Sequence, residues 1–413
     1  MKTNIITLLF VSLLCVHFAK CDLRFVFTMF RHGARSPTAL DKNKNDAFGE
    51  NWPNPGELTA VGARMHFLLG LRNRQVYKDF TTRQKVDGSV YIRSTDYNRT
   101  MESVQAQMQG MFPPGTGHLI KNKKNRALAH PFIDDPRGKN WTQHNKFLGM
   151  RTILDRVETF PVHLFEKQNS LYAFFYHPFG CKIFNGLMKE NQSQPRFTNF
   201  FNKLKKNFGP QLMKMTGNNS TEFLDNYWYV FGLMDSFISD LYDGRDIKKI
   251  TDAGIDIQSF NKTAFEFSEL DILYHWNGDK DGFFARWTAS MLWPEVIQWM
   301  ENRIAADKAG EGYSGYATPR FAIFSSHDVT VGSGLTVLNR AFGFKKFYTP
   351  FASDIFFELH SSKSGYMVHV KYQSLTLGIV PFAEFKTKLE AQFYTQEHIA
   401  EICGYELPKA GHH

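Results

Sequence analysis

An α/β fold interrupted by a mainly helical region is what this chain predicts, and three observations carry the expectation. Apolar runs at Leu23–Phe30, Val90–Ile92 and Arg320–Ser325 have the length and content of buried strands. Each gives way abruptly to polar residues, and after the second and third a helical pattern follows, as in a parallel sheet. From about Asn145 to Phe283 the texture changes. There aromatic and aliphatic residues recur at helical spacing, as in Phe197, Phe200, Phe201, Leu204 and Phe208.

The first strand, Leu23–Phe30, runs into Arg31, His32, Gly33, Ala34 and Arg35. Ligands bind at such strand ends in open α/β sheets, and paired guanidinium groups there suit an anion, most simply a phosphate. A polar, Asn/Asp/Gly/Pro-rich loop follows at Asp41–Gly56. Leu58 to about Arg74 reads as a helix, with Thr59 as N-cap and an apolar stripe of Val61, Met65, Leu68 and Leu69. His66 within it is expected to be structural. Val90–Ile92 ends in Arg93-Ser94-Thr95-Asp96, and the next helix stops at Gly110 and Pro113–Pro114. The middle region reads as a helical cap inserted into the α/β core. Trp287–Ala305 reads as a helix, Arg320–Ser325 as a strand ending in Ser326-His327-Asp328, and Asp354–His360 and Tyr366–Tyr372 as further strands. The organisation expected is a core over 22–144 and 284–413 around a cap over 145–283.

The 413 residues, 43% hydrophobic and 22% charged, suffice for one large core or two modest ones. Lys2, the apolar run Ile5–Ala19 and the small residues Ala19 and Cys21 read as a secretory signal peptide over residues 1–21. The run falls short of the ~20 residues a membrane span needs, so a soluble mature chain from near Asp22 is expected, secreted or lysosomal. Of the formal charge of +9, Lys2 and Lys20 lie in that segment. Basic clusters at Lys121, Lys123, Lys124 and Arg126, and at Lys203, Lys205 and Lys206, read as solvated surface. No recognised module or basic–aromatic platform accompanies them, so nucleic acid is not an expected partner.

Four cysteines are present, and Cys15 and Cys21 belong to the leader. Cys181 and Cys403 remain, an even pair in an exported chain: a disulfide is the natural reading and two free buried thiols the alternative. Sequons at Asn98, Asn140, Asn191, Asn218, Asn219 and Asn261 fit export, though Asn98 lies too near the candidate site to expect a glycan. The forty Phe residues read as core packing rather than a ligand groove.

Several chemistries find no support. Gly310, Gly312 and Gly315 spell G-x-G-x-x-G, but they precede a strand instead of following one and opening a helix. No Walker A lysine, H-E-x-x-H, C-x-x-C or G-x-S-x-G motif occurs. No metal and no organic cofactor is expected.

The pattern that survives is Arg31-His32-x-x-Arg35, Arg93 and His327-Asp328, each beside the end of an apolar run. With R-H-G-x-R-x-P at Arg31–Pro37, R-S-T-D at Arg93–Asp96 followed by Arg99, and the late His327-Asp328, the chain resembles the histidine acid phosphatases. Leu58-Thr59 with Gly62, and Phe112-Pro113-Pro114, add weaker agreement. The motifs keep order and spacing along most of the mature chain, and the middle matches only loosely. The resemblance implies a mostly parallel central sheet with helices on both faces and a smaller helical cap. It also favours a long-range Cys181–Cys403 bridge.

On chemical grounds, phosphoryl transfer needs a nucleophile, a clamp for spreading negative charge and an acid for the leaving oxygen. His32 is the candidate nucleophile, forming a phosphohistidine. Arg31, Arg35 and Arg93 are the expected clamp, His327 a further donor and Asp328 the acid. The function expected is an acid phosphatase acting on phosphate monoesters. Alternatives are a phytase-like or lipid-phosphate phosphatase, a phosphomutase of the wider superfamily, and a catalytically silent binding protein on the same scaffold. The sequence does not declare the substrate, and a homodimer is one open option for the assembly.

Overall fold

The computed structural model describes residues 22–38, 52, 54–81, 89–129, 141–165, 170–172, 180–277, 282–313 and 315–407. The expected signal segment, the Asn140 sequon and most of the Asp41–Gly56 loop lie outside the described residues.

Among the described residues, one seven-stranded sheet organises the fold, in the order β3-β2-β4-β1-β5-β6-β7. Its strands are β1 (Asp22–Arg31), β2 (Val90–Ser94), β3 (His163–Leu164), β4 (Phe321–Ser326), β5 (Asp354–Ser362), β6 (Gly365–Tyr372) and β7 (Leu375–Pro381). β3, β2, β4 and β1 run parallel, the sheet the sequence anticipates. β5, β6 and β7 extend it as an antiparallel meander. Alternation explains why β1 reads as a continuous apolar run. Phe25, Phe27 and Met29 enter the core on one face, and Val26 and Phe30 the core on the other. A cavity-forming change such as Phe27→Ala costs about 3–5 kcal/mol in such a setting.

Helices cover both faces. On one lie α1 (Ala60–Val76) and α2 (Asn98–Met111). Thr59 caps α1 as expected, its hydroxyl accepting from the Gly62 N–H at 3.1 Å. The buried face of α1 is not the expected apolar stripe. It comprises Gly62, His66, Gly70 and Asn73, while Leu68 is exposed. The reason is close helix crossing: a Cβ on Gly70 would lie 2.0 Å from the Gln107 carbonyl oxygen, and one on Gly110 2.1 Å from that of Phe67. Small residues therefore occupy positions where a period-based reading expects bulky ones.

The region 145–283 divides between two packing environments. β3 sits at the sheet's edge, and Phe165, Phe184 and Met188, the last two on α3 (Phe184–Gln192), bury in the sheet's own core. α4 (Pro195–Thr216), α5 (Tyr227–Asp243) and α6 (Ile257–Leu270) build a separate core from Phe197, Leu204, Leu233, Phe237 and Phe260. The striped Phe residues are thus packing, as expected.

On the second sheet face lie α7 (Phe283–Lys308), α8 (Asp328–Phe342), α9 (Phe382–Glu390) and α10 (Gln396–Cys403). Cys181 and Cys403 form a disulfide closing 222 residues, and both are buried. Among the described residues, no helix is long and apolar enough to cross a membrane.

Candidate active site

Strand register brings the distant motifs together. Arg31 ends β1 directly beside Ser326 at the end of β4, and Ser94 of β2 lies beside Ser325. The His32 N–H then donates to the Ser326 carbonyl at 3.0 Å, and the Thr95 N–H to that of Ser325 at 3.2 Å. The result places the His32 and His327 rings edge to face, 5.6 Å between centroids.

Two glycines make the turn after β1 fit. A Cβ on Gly33 would lie 2.3 Å from the Gly62 carbonyl oxygen, and one on Gly62 2.1 Å from that of Ala34. Gly33 therefore serves close packing of the motif on the start of α1. The Gly33 N–H also donates to Ser103 Oγ of α2 at 3.1 Å. Behind the motif, buried His66 donates from Nε2 to the Arg31 carbonyl at 3.1 Å, and its Nδ1 meets Gln107 at 3.1 Å. Burial holds its pKa down at about 4, so it is neutral and structural, as expected.

The tautomer of His32 follows from its neighbour. Nδ1 lies 2.8 Å from the Gly33 carbonyl oxygen, which only accepts, so Nδ1 carries the proton and Nε2 keeps its lone pair. Burial, together with Arg99, Arg31 and Arg35, pushes the His32 pKa well below the ordinary value. The shift favours the neutral imidazole. His327 is shifted the same way, by burial and then by Arg99, Arg35 and Arg31. Its Nε2 lies 3.0 Å from Thr95 Oγ1, and its Nδ1 3.5 Å from an Arg99 guanidinium nitrogen.

Three arginines surround the two rings. Arg31 donates to the Thr349 carbonyl at 2.8 Å, pairs with Asp328 at 2.8 Å and stacks on Phe351, 4.0 Å from the ring centre. Arg35 is held by Asp235 of α5 through two bonds of 2.9 and 3.1 Å. Arg99, in the first turn of α2, stacks on Tyr97. Burial and the Arg35 cation lower its pKa to about 10. The Nε groups of all three are buried and have no hydrogen-bond partner among the described residues. A ring of donors with unspent N–H groups suits a multivalent oxyanion.

Asp328 opens α8, where the helix N-terminus favours its anion, and its Oδ1 accepts from the Val329 N–H at 2.8 Å. Burial works to raise its pKa, but Arg31 and Arg35 outweigh it, holding the carboxyl below its ordinary range.

A cavity of about 240 Å³ opens between these residues and helices α5 and α6, lined by Arg31, His32, Arg35, Arg99, His327 and Asp328 at the strand ends. Arg93 is not among its lining residues, which corrects the expectation that it completes the clamp. Its side chain lies on the sheet face covered by α7, pairing with Glu295 of α7 at 3.1 Å and lying over Phe165. Register explains this: Arg93 lies level with Phe324 and Met29, two residues short of the Arg31–Ser326 level, and Arg99, five residues after Ser94, occupies the place instead. The signal was present in the sequence as the arginine following R-S-T-D.

Three guanidinium groups lining a cleft with a histidine whose Nε2 keeps its lone pair suit an anion such as phosphate on an α/β scaffold. The sequence profile of the "Histidine phosphatase superfamily (branch 2)" matches residues 22–373. The chain belongs to that family. It is similar to human prostatic acid phosphatase, with 26% identity over 358 residues covering 86% of this chain and 78% of that one. It is also similar to the lysosomal acid phosphatase of Xenopus laevis, with 24% identity over 87% of this chain and 71% of that one. Its fold is similar to those of two bacterial phytases. That of Klebsiella sp ASR1 has TM-score 0.59 and 15% identity, covering 91% of this chain and 97% of that one. That of Citrobacter braakii has TM-score 0.59 and 12% identity, covering 90% and 98%.

Proposed function

We propose that the protein is an acid phosphatase that hydrolyses phosphate monoesters through a phosphohistidine on His32. The observation that carries the reading is the unprotonated Nε2 of His32 facing Arg31, Arg35 and Arg99 in one cleft with Asp328. Nε2 attacks phosphorus as the bond to the leaving oxygen breaks, and Asp328 gives that oxygen its proton. The three arginines, which line the cleft, hold the non-bridging oxygens. Phosphate entering between the rings favours protonation of His327, which then donates to it. Water next attacks the phosphohistidine, Asp328 taking its proton, and phosphate leaves with His32 neutral again.

The similarity to prostatic and lysosomal acid phosphatases supports this reading. So does the intact machinery, which argues against a silent binding protein. Positive charge comes from arginine, so the mechanism asks for no metal or organic cofactor. A phytase-like activity is the second reading, prompted by the phytase folds. The outer cleft weighs against it, because Phe231, Met234, Ile238, Phe267, Ile272 and Trp276 give it an apolar wall. We also propose an exported protein, secreted or lysosomal, with a leader over residues 1–21 and glycans on the surface sequons. Within the 145–283 region, we take α4 to α6, which share a separate core, as the body of the cap.

A panel of aryl, sugar, nucleotide, lipid and inositol phosphates at several pH values tests the activity. Turnover of simple monoesters in acid, abolished by His32→Ala, is the expected result.

A further inference from the structure

The cleft has two chemically different ends. Among its described lining residues the cations are Arg31, Arg35 and Arg99, and all three belong to the end built from β1 and α2. The opposite wall comes from the cap and carries Asp271 beside Phe231, Phe267, Ile272 and Trp276.

Asp271 is a placed group. It begins a single π-helical turn, Asp271–His275, that follows α6. Tyr227 OH and His275 Nδ1 both donate to the same oxygen, Oδ1, the latter at 3.1 Å. His275 is fixed in turn at Nε2 by Gln192 at 3.0 Å. Oδ2 takes no hydrogen bond from any described residue, although the residue as a whole is only 6 % exposed. A buried carboxylate with one oxygen locked and the other open to the cleft is built to accept from something that enters. π-turns of this kind often mark functional sites.

The turn also sits close to the reaction centre. Gly332 lies one turn after Asp328 on α8, and a Cβ there would come within 2.5 Å of Ile272 Cγ2. The absent side chain lets the π-turn rest directly against the helix that carries the proposed acid.

Resting on the phosphatase reading of this cleft, we propose that Asp271 is a specificity residue for the leaving group. With the phosphate at the arginine end, the alcohol portion extends along the apolar wall toward Oδ2. An alcohol carrying a hydrogen-bond donor, an ammonium or a hydroxyl, is accepted there. One carrying a second anion meets a carboxylate in a partly desolvated cleft and is rejected. The substrate class is therefore a monophosphate of a compact apolar alcohol with a neutral or cationic far end, not a polyphosphate.

The test is a matched series of alkyl phosphates of two to six carbons ending in an amine, a methyl group or a carboxylate, with 4-nitrophenyl phosphate as reference. At the best chain length, kcat/KM for the amine is expected to exceed that for the carboxylate by about 10- to 100-fold, and the ratio is expected to shrink with added salt. In Asp271→Asn the amine-to-carboxylate ratio is expected to fall to about threefold or less. The ratio is read within one variant, so a general loss of active protein does not affect it. Hydrolysis of 4-nitrophenyl phosphate with a wild-type ratio near one, or an unchanged ratio in Asp271→Asn, overturns this inference alone. Failure of the wild type to hydrolyse any member overturns the phosphatase reading and this inference with it.

Discussion

Arg35 and Asp235 join the Arg31–Pro37 motif to α5 through a two-bond ion pair in which both side chains are nearly buried, 6% and 9% exposed. Asp235 also accepts from the backbone N–H and hydroxyl of Thr38, at 2.8 and 3.0 Å. One α5 carboxylate thus fixes both a cleft-lining arginine and the segment leaving the motif. Removing one partner of a buried pair leaves an uncompensated charge and costs about 3–5 kcal/mol. Asp235→Ala is expected to lose stability of that order in urea unfolding. Activity is expected to fall through KM as well as kcat, because Arg35 loses its orientation.

The two candidate arginines near β2 give opposite expectations. Arg99→Ala removes a donor aimed into the cleft and is expected to lower kcat by about 10²–10³-fold, the usual cost of deleting one anion-stabilising group. Arg93→Ala removes a pair with half-exposed Glu295 outside the cleft, so kcat is expected to stay within about threefold. Steady-state kinetics on purified variants decides between them.

This pair also shows what a sequence can reveal. The strand ends carrying Arg31, His32, His327 and Asp328 were readable because β1 and β4 pass from an apolar run straight into polar residues. Their adjacency was not readable, since β1 pairs with β4 and not with β2, the next strand along the chain. Arg93 misled because an arginine near a strand's end reaches the site only at the right depth, and register with β4 leaves it level with Phe324, two residues short of Arg31 and Ser326. Leu68 misled for a related reason: the α1–α2 contact is made by glycines, so the helix buries its small face and exposes a leucine. Asp235 and Asp271 were invisible, since nothing in a helical stripe says which polar residue will face a cleft formed 200 residues away in sequence.

The glycine contacts make a steric prediction. Gly33→Ala places a methyl group against the Gly62 carbonyl, which is backbone and has nowhere to go. It is expected to displace His32 and lower kcat by at least about 10²-fold, as sub-ångström misplacement of reacting groups does. Gly186→Ala, where a Cβ meets nothing, is the control expected to leave kcat unchanged.

Asp328 governs the pH dependence. Its pKa is lowered in the free protein, so its acid form is lost as pH rises, and phosphate bound beside it pushes the pKa back up. The falling limb of kcat, which reports the complex, is expected on the acid side of neutrality. Asp328→Asn is expected to remove that limb. It should also lower kcat by about 10²–10⁴-fold on alkyl phosphates, and by much less on 4-nitrophenyl phosphate, whose leaving group departs without a proton. An equal loss on both substrates contradicts the assignment.

The Cys181–Cys403 bridge ties the chain's end to α3 beside the main core. Replacing both cysteines with serine is expected to cost about 2–5 kcal/mol of stability, visible as a lowered melting temperature, while KM stays unchanged.

The central claim is covalent transfer to His32, and trapping that intermediate tests it most directly. Rapid mixing with phosphorus-labelled substrate, quenched under alkaline denaturing conditions that preserve phosphohistidine, is expected to leave label on the peptide containing His32. The label should approach one per active chain at early times, vanish on a chase with unlabelled substrate, and be absent in His32→Ala. Turnover without label on His32, or full activity in His32→Ala, contradicts the account.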